Sequence, residues 1–159
     1  MYRAVLVLIF LVIGCKGFTN SKECLTLAIY HEAKNQSMLG QIAVGQVVLN
    51  RVKSKYFPNN VCDVVKQGQT YKNGKMVLHK CQFSFWCDGK KDEVDPSNKQ
   101  WIIASDYADI VLSGNIVFDI TEGAEFYHAY YVRPAWLKEK KRTVRIDSHI
   151  FYRWTFKKY

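Results

Sequence analysis

Leu25-Thr26-Leu27-Ala28-Ile29-Tyr30-His31-Glu32-Ala33 is the stretch on which the reading of this chain turns. Taken as a helix, it places Leu25, Ala28, Ile29 and Glu32 at i, i+3, i+4 and i+7, a single inward-facing stripe. Three members of the stripe are apolar and the fourth is a carboxylate. Apolar surroundings disfavour the ionised form, so such a carboxyl group holds its proton toward neutral pH. A proton held in this way is available to a leaving group, as general acid catalysis requires. The competing reading is that Glu32 ends the helix and turns out to water.

The flanks extend the helical reading. Asn20 and Glu23 have capping-box spacing, so the first helix is expected to start near Ser21, with Asn35 and Gln36 as its exit. A second helix is predicted from about Met38 to Lys53. Its apolar residues (Ile42, Ala43, Val44, Val47, Val48, Leu49, Val52) cover more than one face, which suits the central helix of a core. Gly40 and Gly45 lie inside it, and a close helix–helix approach would explain them. Val61 to Lys66 reads as a short helical piece. Thr70 to Leu78 reads as a hairpin with a type I′ turn at Asn73-Gly74. Asp95-Pro96 predicts the start of a third long helix running to Ser113, with Gly114 as its stop.

Beyond Gly114 the expectations are strands: Ile116-Val117-Phe118, Ala124 to His128, Thr143 to Ile146, and His149 to Tyr152 after a tight turn at Asp147-Ser148. Helices first and a small antiparallel sheet last make an α+β fold.

With 159 residues, 48% of them hydrophobic, the chain has material for one ordinary domain core, which argues against disorder. Its formal net charge of +9 points to polyanionic partners: nucleic acid, anionic lipid or acidic cell-envelope polymers. Arg3, the apolar run Ala4 to Ile13, and the small residues Gly14, Cys15 and Gly17 have the layout of a secretory signal. Residues 1–19 are therefore expected to be a leader and residues 20–159 the working domain. Val12-Ile13-Gly14-Cys15 is also similar to a lipoprotein box, in which Cys15 would carry lipid. An uncleaved anchor is the alternative, and a leader or lipid would be the only link to a membrane. Export to the periplasm, the cell envelope or the medium follows. Cys24, Cys62, Cys81 and Cys87 then permit two disulfides in three possible pairings. A zinc site competes poorly, because no C-x-x-C is present.

Among reaction classes, the zinc-protease helix motif fails where it needs a second histidine, since Asn35 stands there. Neither a G-x-S-x-G elbow nor a Walker-type phosphate loop occurs. Cys87 and His128 could form a nucleophile pair, although paired cysteines are the simpler reading in an exported chain. Carboxylate and aromatic chemistry remains. Glycosidic bonds are cleaved by a protonated carboxyl group beside the leaving oxygen. Tyr30, Phe83, Phe85, Trp86, Phe126 and Tyr127, with Gln82, Ser84 and His128, are of the types that line sugar sites; core packing is the other role for each aromatic.

Several ordered blocks carry a resemblance. Ala28 to Ala33, Gly40 to Val52 and Phe57 to Val65 are similar to the spore-cortex-lytic cell wall hydrolase family, the SleB/CwlJ type. So are Gln82-Phe83-Ser84-Phe85-Trp86-Cys87-Asp88-Gly89, Gly123 to His128, Pro134-Ala135-Trp136 and Ile146 to Tyr152. The resemblance implies a lysozyme-like or transglycosylase-like fold, peptidoglycan glycan strands as substrate, and one catalytic glutamate, here Glu32. Lys34-Asn35-Gln36 departs from the family's Arg-Gly-Glu continuation, and Val65 to Gln82 contains inserted sequence.

The expected reaction is cleavage between N-acetylmuramic acid and N-acetylglucosamine, with Glu32 as acid and then base in a lytic transglycosylase, or with activated water in a muramidase. Asp63, Asp88 or Glu125 could be a partner carboxylate. Gln82, Phe83, Ser84, Tyr127 and His128 are the expected sugar-binding residues. No metal or cofactor is needed. Wall remodelling and lysis by a bacterial virus both fit. Anionic wall polymers are possible further partners for the basic chain, and no nucleic-acid motif is recognised. The rival class is a binding module that holds wall glycan or nucleic acid without turnover.

Overall fold

The computed structural model describes residues 21–155. The leader, Cys15 and the Asn20 half of the capping box lie outside the described residues. Helix α1 spans Ser21–Ala33 and α2 spans Met38–Lys53. The Ser37 hydroxyl accepts from the Gly40 amide and satisfies one of the free N–H groups that begin α2. Asn60 caps the short α3, Val61–Val65, through the Asp63 amide.

Helix α4 runs from Lys99 to Leu112, later than Asp95-Pro96 predicts. The cause is local. The Asp95 carboxylate is engaged by the Ser97 amide and hydroxyl, which folds a turn. Asn98 then caps the helix through the amides of Gln100 and Trp101.

The helices bury one core. Cys24, Leu25, Ala28 and Ile29 of α1 pack with Val48 of α2, Val61, Val64 and Val65 of α3, and Ala104, Ala108 and Val111 of α4. Fully burying a leucine or isoleucine side chain contributes about 1.5–3 kcal/mol, so the stripe that carries Glu32 is held firmly. The helices approach closely at Gly45. A Cβ there would lie 3.1 Å from Val111 Cγ2 and 3.3 Å from Ile29 Cδ1, so three helices meet over a residue without a side chain.

Strands β1 (Gly68–Thr70) and β2 (Met76–Cys81) form the expected hairpin, but its turn is not type I′. Type I′ needs positive φ at both central residues, and only Gly74 has it. Tyr71 N–H donates to the Lys75 carbonyl and Gly74 N–H to the Tyr71 carbonyl, closing a three-residue loop.

The second sheet holds β3 (Phe126–Ala129), β4 (Lys140–Ile146) and β5 (His149–Trp154), all antiparallel, with β5 in the middle. It packs on α2 through Ala43, Val47, Ala124 and Phe151. Ile116-Val117-Phe118 is not a strand. Val117 and Phe118 are 84% and 75% exposed, and no strand among the described residues pairs with them.

Two polar clasps lock sheet to helices. At the α1–α2 corner, the Ser37 amide and hydroxyl donate to Asp147 Oδ2 at 2.8 and 2.7 Å. The Gln36 side-chain oxygen accepts from the Ser148 amide and hydroxyl. Along α2, Gln46 bonds the Phe118 carbonyl and the Ile120 amide, and Asn50 donates to Asp119, Thr121 and the Ala124 carbonyl. The first clasp sets the start of β5 against the end of α1, and the second delivers the chain into β3. Disulfides Cys24–Cys62 and Cys81–Cys87 tie α1 to α3 and β2 to the 3-10 turn Ser84–Cys87.

Candidate active site

Where the end of α1 meets β3 and β5, a cavity of about 620 Å³ is lined by Glu32, Arg51, Cys81, Gln82, Ser84, Tyr127, His128, His149 and the loop after β3. Glu32 follows the fully buried Leu25, Ala28 and Ile29 along one face of α1, so the stripe turns its carboxylate into this space. Burial pushes the Glu32 carboxyl above the usual carboxylate range. The Tyr127 hydroxyl and the Arg51 guanidinium pull the other way without cancelling it.

Tyr127 donates its hydroxyl hydrogen to Glu32 Oε2 at 3.1 Å. Burial, and then the charge of Glu32, push the Tyr127 hydroxyl well above its ordinary range, so it keeps the proton it donates. Tyr127 and His128 lie on β3, which β5 holds by pairing Tyr127 with Phe151 and His128 with Ile150.

Sequence reasoning passed over Arg51 as a site residue. It is only 4% exposed, its Nε donates to the Glu125 carbonyl at 2.7 Å, and its guanidinium lies 5.1 Å from the Phe57 and Phe83 ring centres. Nη1 is buried with no hydrogen-bond partner among the described residues. Burial lowers its proton affinity, yet an arginine stays charged, and this cation acts on Glu32. A signal was present: Arg51 stands three and four residues after Val48 and Val47, on the buried face of α2.

Of the expected sugar-binding residues, Gln82, Ser84, Tyr127 and His128 line the cavity. Phe83 does not. It is 1% exposed and sits in the helical core, with Arg51 over its ring. Gln82 and Ser84 are exposed while Phe83 and Phe85 are buried, so alternate residues face opposite ways. His128 is committed at both ring nitrogens. Nδ1 lies 2.8 Å from the Ala129 carbonyl, which can only accept, so Nδ1 carries the hydrogen; Nε2 then accepts from the Tyr152 hydroxyl at 3.0 Å.

The candidate partner carboxylates lie elsewhere. Asp63 is bound to the Asn60 cap, and Asp88 accepts from the Lys90 amide. Glu125 Oε2 is enclosed with no hydrogen-bond partner among the described residues. None of the three lines the cavity, so Glu32 is its only carboxylate among the described residues. Cys87 is paired with Cys81, which removes it as a nucleophile, and all four cysteines of the supposed zinc site are in disulfides.

This arrangement meets known proteins at three levels. The profile of the cell wall hydrolase family matches residues 35–152. The spore cortex-lytic enzyme of Bacillus subtilis (strain 168) is 42% identical over 50 residues, 31% of this chain and 16% of that enzyme. The spore cortex-lytic enzyme of Bacillus cereus is 38% identical over 52 residues, 33% of this chain and 20% of that enzyme. The chain thus spans a fifth or less of the length of these relatives. The catalytic domain of the germination-specific lytic transglycosylase SleB from Bacillus anthracis superposes with a TM-score of 0.59 at 23% identity, covering 89% of this chain and all of that domain. The SleB catalytic domain of Bacillus cereus gives 0.56 at 24% identity, covering 87% and 94%. The shared fold is a lysozyme-like helical core with a small antiparallel sheet. The chain belongs to the cell wall hydrolase family. Glu32 lies three residues before the matched span, so its role rests on the geometry above.

Proposed function

We propose that this cell wall hydrolase cleaves peptidoglycan glycan strands between N-acetylmuramic acid and N-acetylglucosamine as a lytic transglycosylase, with Glu32 as its one acid and base. The observation that carries the reading is a single cavity carboxylate, held toward its protonated form by burial and fixed by a tyrosine hydroxyl.

The protonated Glu32 gives its hydrogen to the glycosidic oxygen, and the N-acetylglucosamine leaves as an alcohol. Positive charge develops at C1 of the muramic acid while Glu32 becomes a carboxylate. Tyr127 and Arg51 stabilise that carboxylate. Glu32 then takes the proton of the muramic acid 6-hydroxyl, whose oxygen bonds to C1. The product is a 1,6-anhydro ring, Glu32 is protonated again, and no water is consumed. An inverting hydrolase needs a second carboxylate to activate water and a retaining one needs it as nucleophile, which the cavity lining does not supply.

Gln82 and Ser84, exposed at the cavity edge, orient the sugars, and Tyr131, which is also exposed, offers a ring face at the rim. The two disulfides support action in an oxidising compartment outside the cytoplasm. The net charge of +9 would draw the protein to anionic wall polymers.

The test is a substitution series assayed by release of soluble fragments from purified peptidoglycan. Glu32→Gln keeps shape and removes the titratable proton, so turnover should fall by about 10²–10⁴. Asp63→Asn, Asp88→Asn and Glu125→Gln should retain activity. A binding module would survive Glu32→Gln with its glycan affinity intact and release no fragments even as wild type.

A further inference from the structure

Two histidines line the cavity, and they differ in what they have left to offer. His128 spends both nitrogens on the protein. His149 spends neither on any described residue. It opens β5, is 8% exposed, and its ring centre lies 5.0 Å from that of Tyr127, the residue that holds Glu32. Its Nδ1 is enclosed with no hydrogen-bond partner among the described residues. Nε2 has no partner among the described residues either and is not sealed off in that way, so the open edge of the ring is the one the cavity reaches.

The tautomer follows from cost. A hydrogen on the enclosed Nδ1 would be a buried donor with nothing to meet, whereas a hydrogen on Nε2 can be met by whatever occupies the cavity. The hydrogen of the neutral ring therefore belongs on Nε2. Neutrality is favoured because burial lowers the proton affinity of His149; Asp147 opposes this and His128 adds to it. The cavity thus presents a fixed N–H donor with no acceptor among the described residues, beside Glu32.

We infer that His149 is a substrate-binding residue whose Nε2–H holds the acetamido carbonyl oxygen of an N-acetylated sugar in the Glu32 cavity. An amide carbonyl is a stronger acceptor for a neutral imidazole N–H than a sugar hydroxyl, and every sugar of the proposed substrate carries one. This rests on the peptidoglycan reading above. The role is separate from proton transfer: His149 fixes where the ring sits, and Glu32 acts on it.

Ring nitrogen NMR on the Glu32→Gln protein, which binds without turning over, tests the assignment with N-acetylglucosamine tetramer as the probe. Expected are an unprotonated Nδ1 and a protonated Nε2 in the free protein. The tetramer should shift Nε2 far more than Nδ1. His149→Phe in the same background should weaken tetramer binding about five- to tenfold, the worth of one hydrogen bond, and His149→Gln should restore part of it. Thermal unfolding of both variants separates a lost contact from a lost fold. A protonated Nδ1, a ring that ignores the tetramer, or equal affinity in a folded His149→Phe protein would overturn the assignment. Wild type that binds the tetramer through His149 yet releases no fragments from peptidoglycan would instead overturn the activity reading and leave His149 as a glycan contact.

Discussion

Replacing Tyr127 by phenylalanine removes one atom from the site and should change the acidity of Glu32 in a known direction. The Tyr127 hydroxyl donates to Glu32 Oε2 at 3.1 Å, and this bond favours the ionised carboxyl. Hydrogen bonds to charged groups contribute about 1.5–3 kcal/mol. The strongest of the O–H to carboxylate type are shorter, about 2.5–2.7 Å, so the lower end applies here, about 1.5 kcal/mol. That is about a tenfold factor in the balance between ionised and protonated Glu32. In Tyr127→Phe the balance moves toward the protonated form. The alkaline limb of kcat/KM, which reports loss of the acid's proton from the free enzyme, should therefore move to higher pH. Below that limb the variant should keep its proton but stabilise the developing Glu32 carboxylate less well, so kcat should fall by about tenfold, far less than for Glu32→Gln. The assay is the pH dependence of fragment release from purified peptidoglycan, with thermal unfolding as a control on folding. An alkaline limb that stays in place, or moves to lower pH, would refute the reasoning.

The two disulfides should separate stability from function. Chain entropy gives about 3.9 kcal/mol for Cys24–Cys62, which closes 38 residues, and about 2.2 kcal/mol for Cys81–Cys87, which closes 6. Denaturant unfolding of the paired alanine variants should show the larger loss at the first, whereas activity should fall more at the second, because that bond holds Gln82 and Ser84 on the cavity wall. Glu32→Gln should make the protein more stable at neutral pH by on the order of 1 kcal/mol. The folded chain holds the Glu32 proton above the ordinary value of 4.5 while the unfolded chain releases it, so rising pH through that window favours unfolding in wild type only. The gain should vanish near pH 4 and grow above it; a constant difference in unfolding midpoint across that range would contradict the burial argument. Fragment release should also survive EDTA, since the assigned proton transfers need no metal, and complete loss in chelator would sink that assignment.

Much of this architecture was legible because the relevant signals are local. The α2 boundaries, Met38 to Lys53, coincide with the predicted ones, and the stripe ending in Glu32 faces where its spacing says. The misreadings have physical causes. Asp95-Pro96 resembles a helix start, but the Asp95 carboxylate closes a turn with Ser97 and yields the cap to Asn98. Ile116-Val117-Phe118 has strand composition and, among the described residues, no strand beside it to pair with. Phe83 sits between two residues of the cavity wall, and its alternation with Gln82 and Ser84 would have placed it in the core. Arg51 and His149 escaped notice because their meaning is tertiary. Arg51 becomes a site residue only when β3 is laid against α2. His149 becomes one only when the Asp147 clasp brings β5 to the end of α1.

Digestion of purified peptidoglycan in heavy-oxygen water, followed by mass spectrometry of the fragments, tests the central claim most directly. Closure of the ring by the muramic acid 6-hydroxyl, with Glu32 as its base, consumes no water. The account therefore requires anhydro-muropeptides without heavy oxygen from wild type and none from Glu32→Gln. Reducing-end fragments carrying heavy oxygen would contradict it and would mean that water, not the muramic acid 6-hydroxyl, completes the reaction.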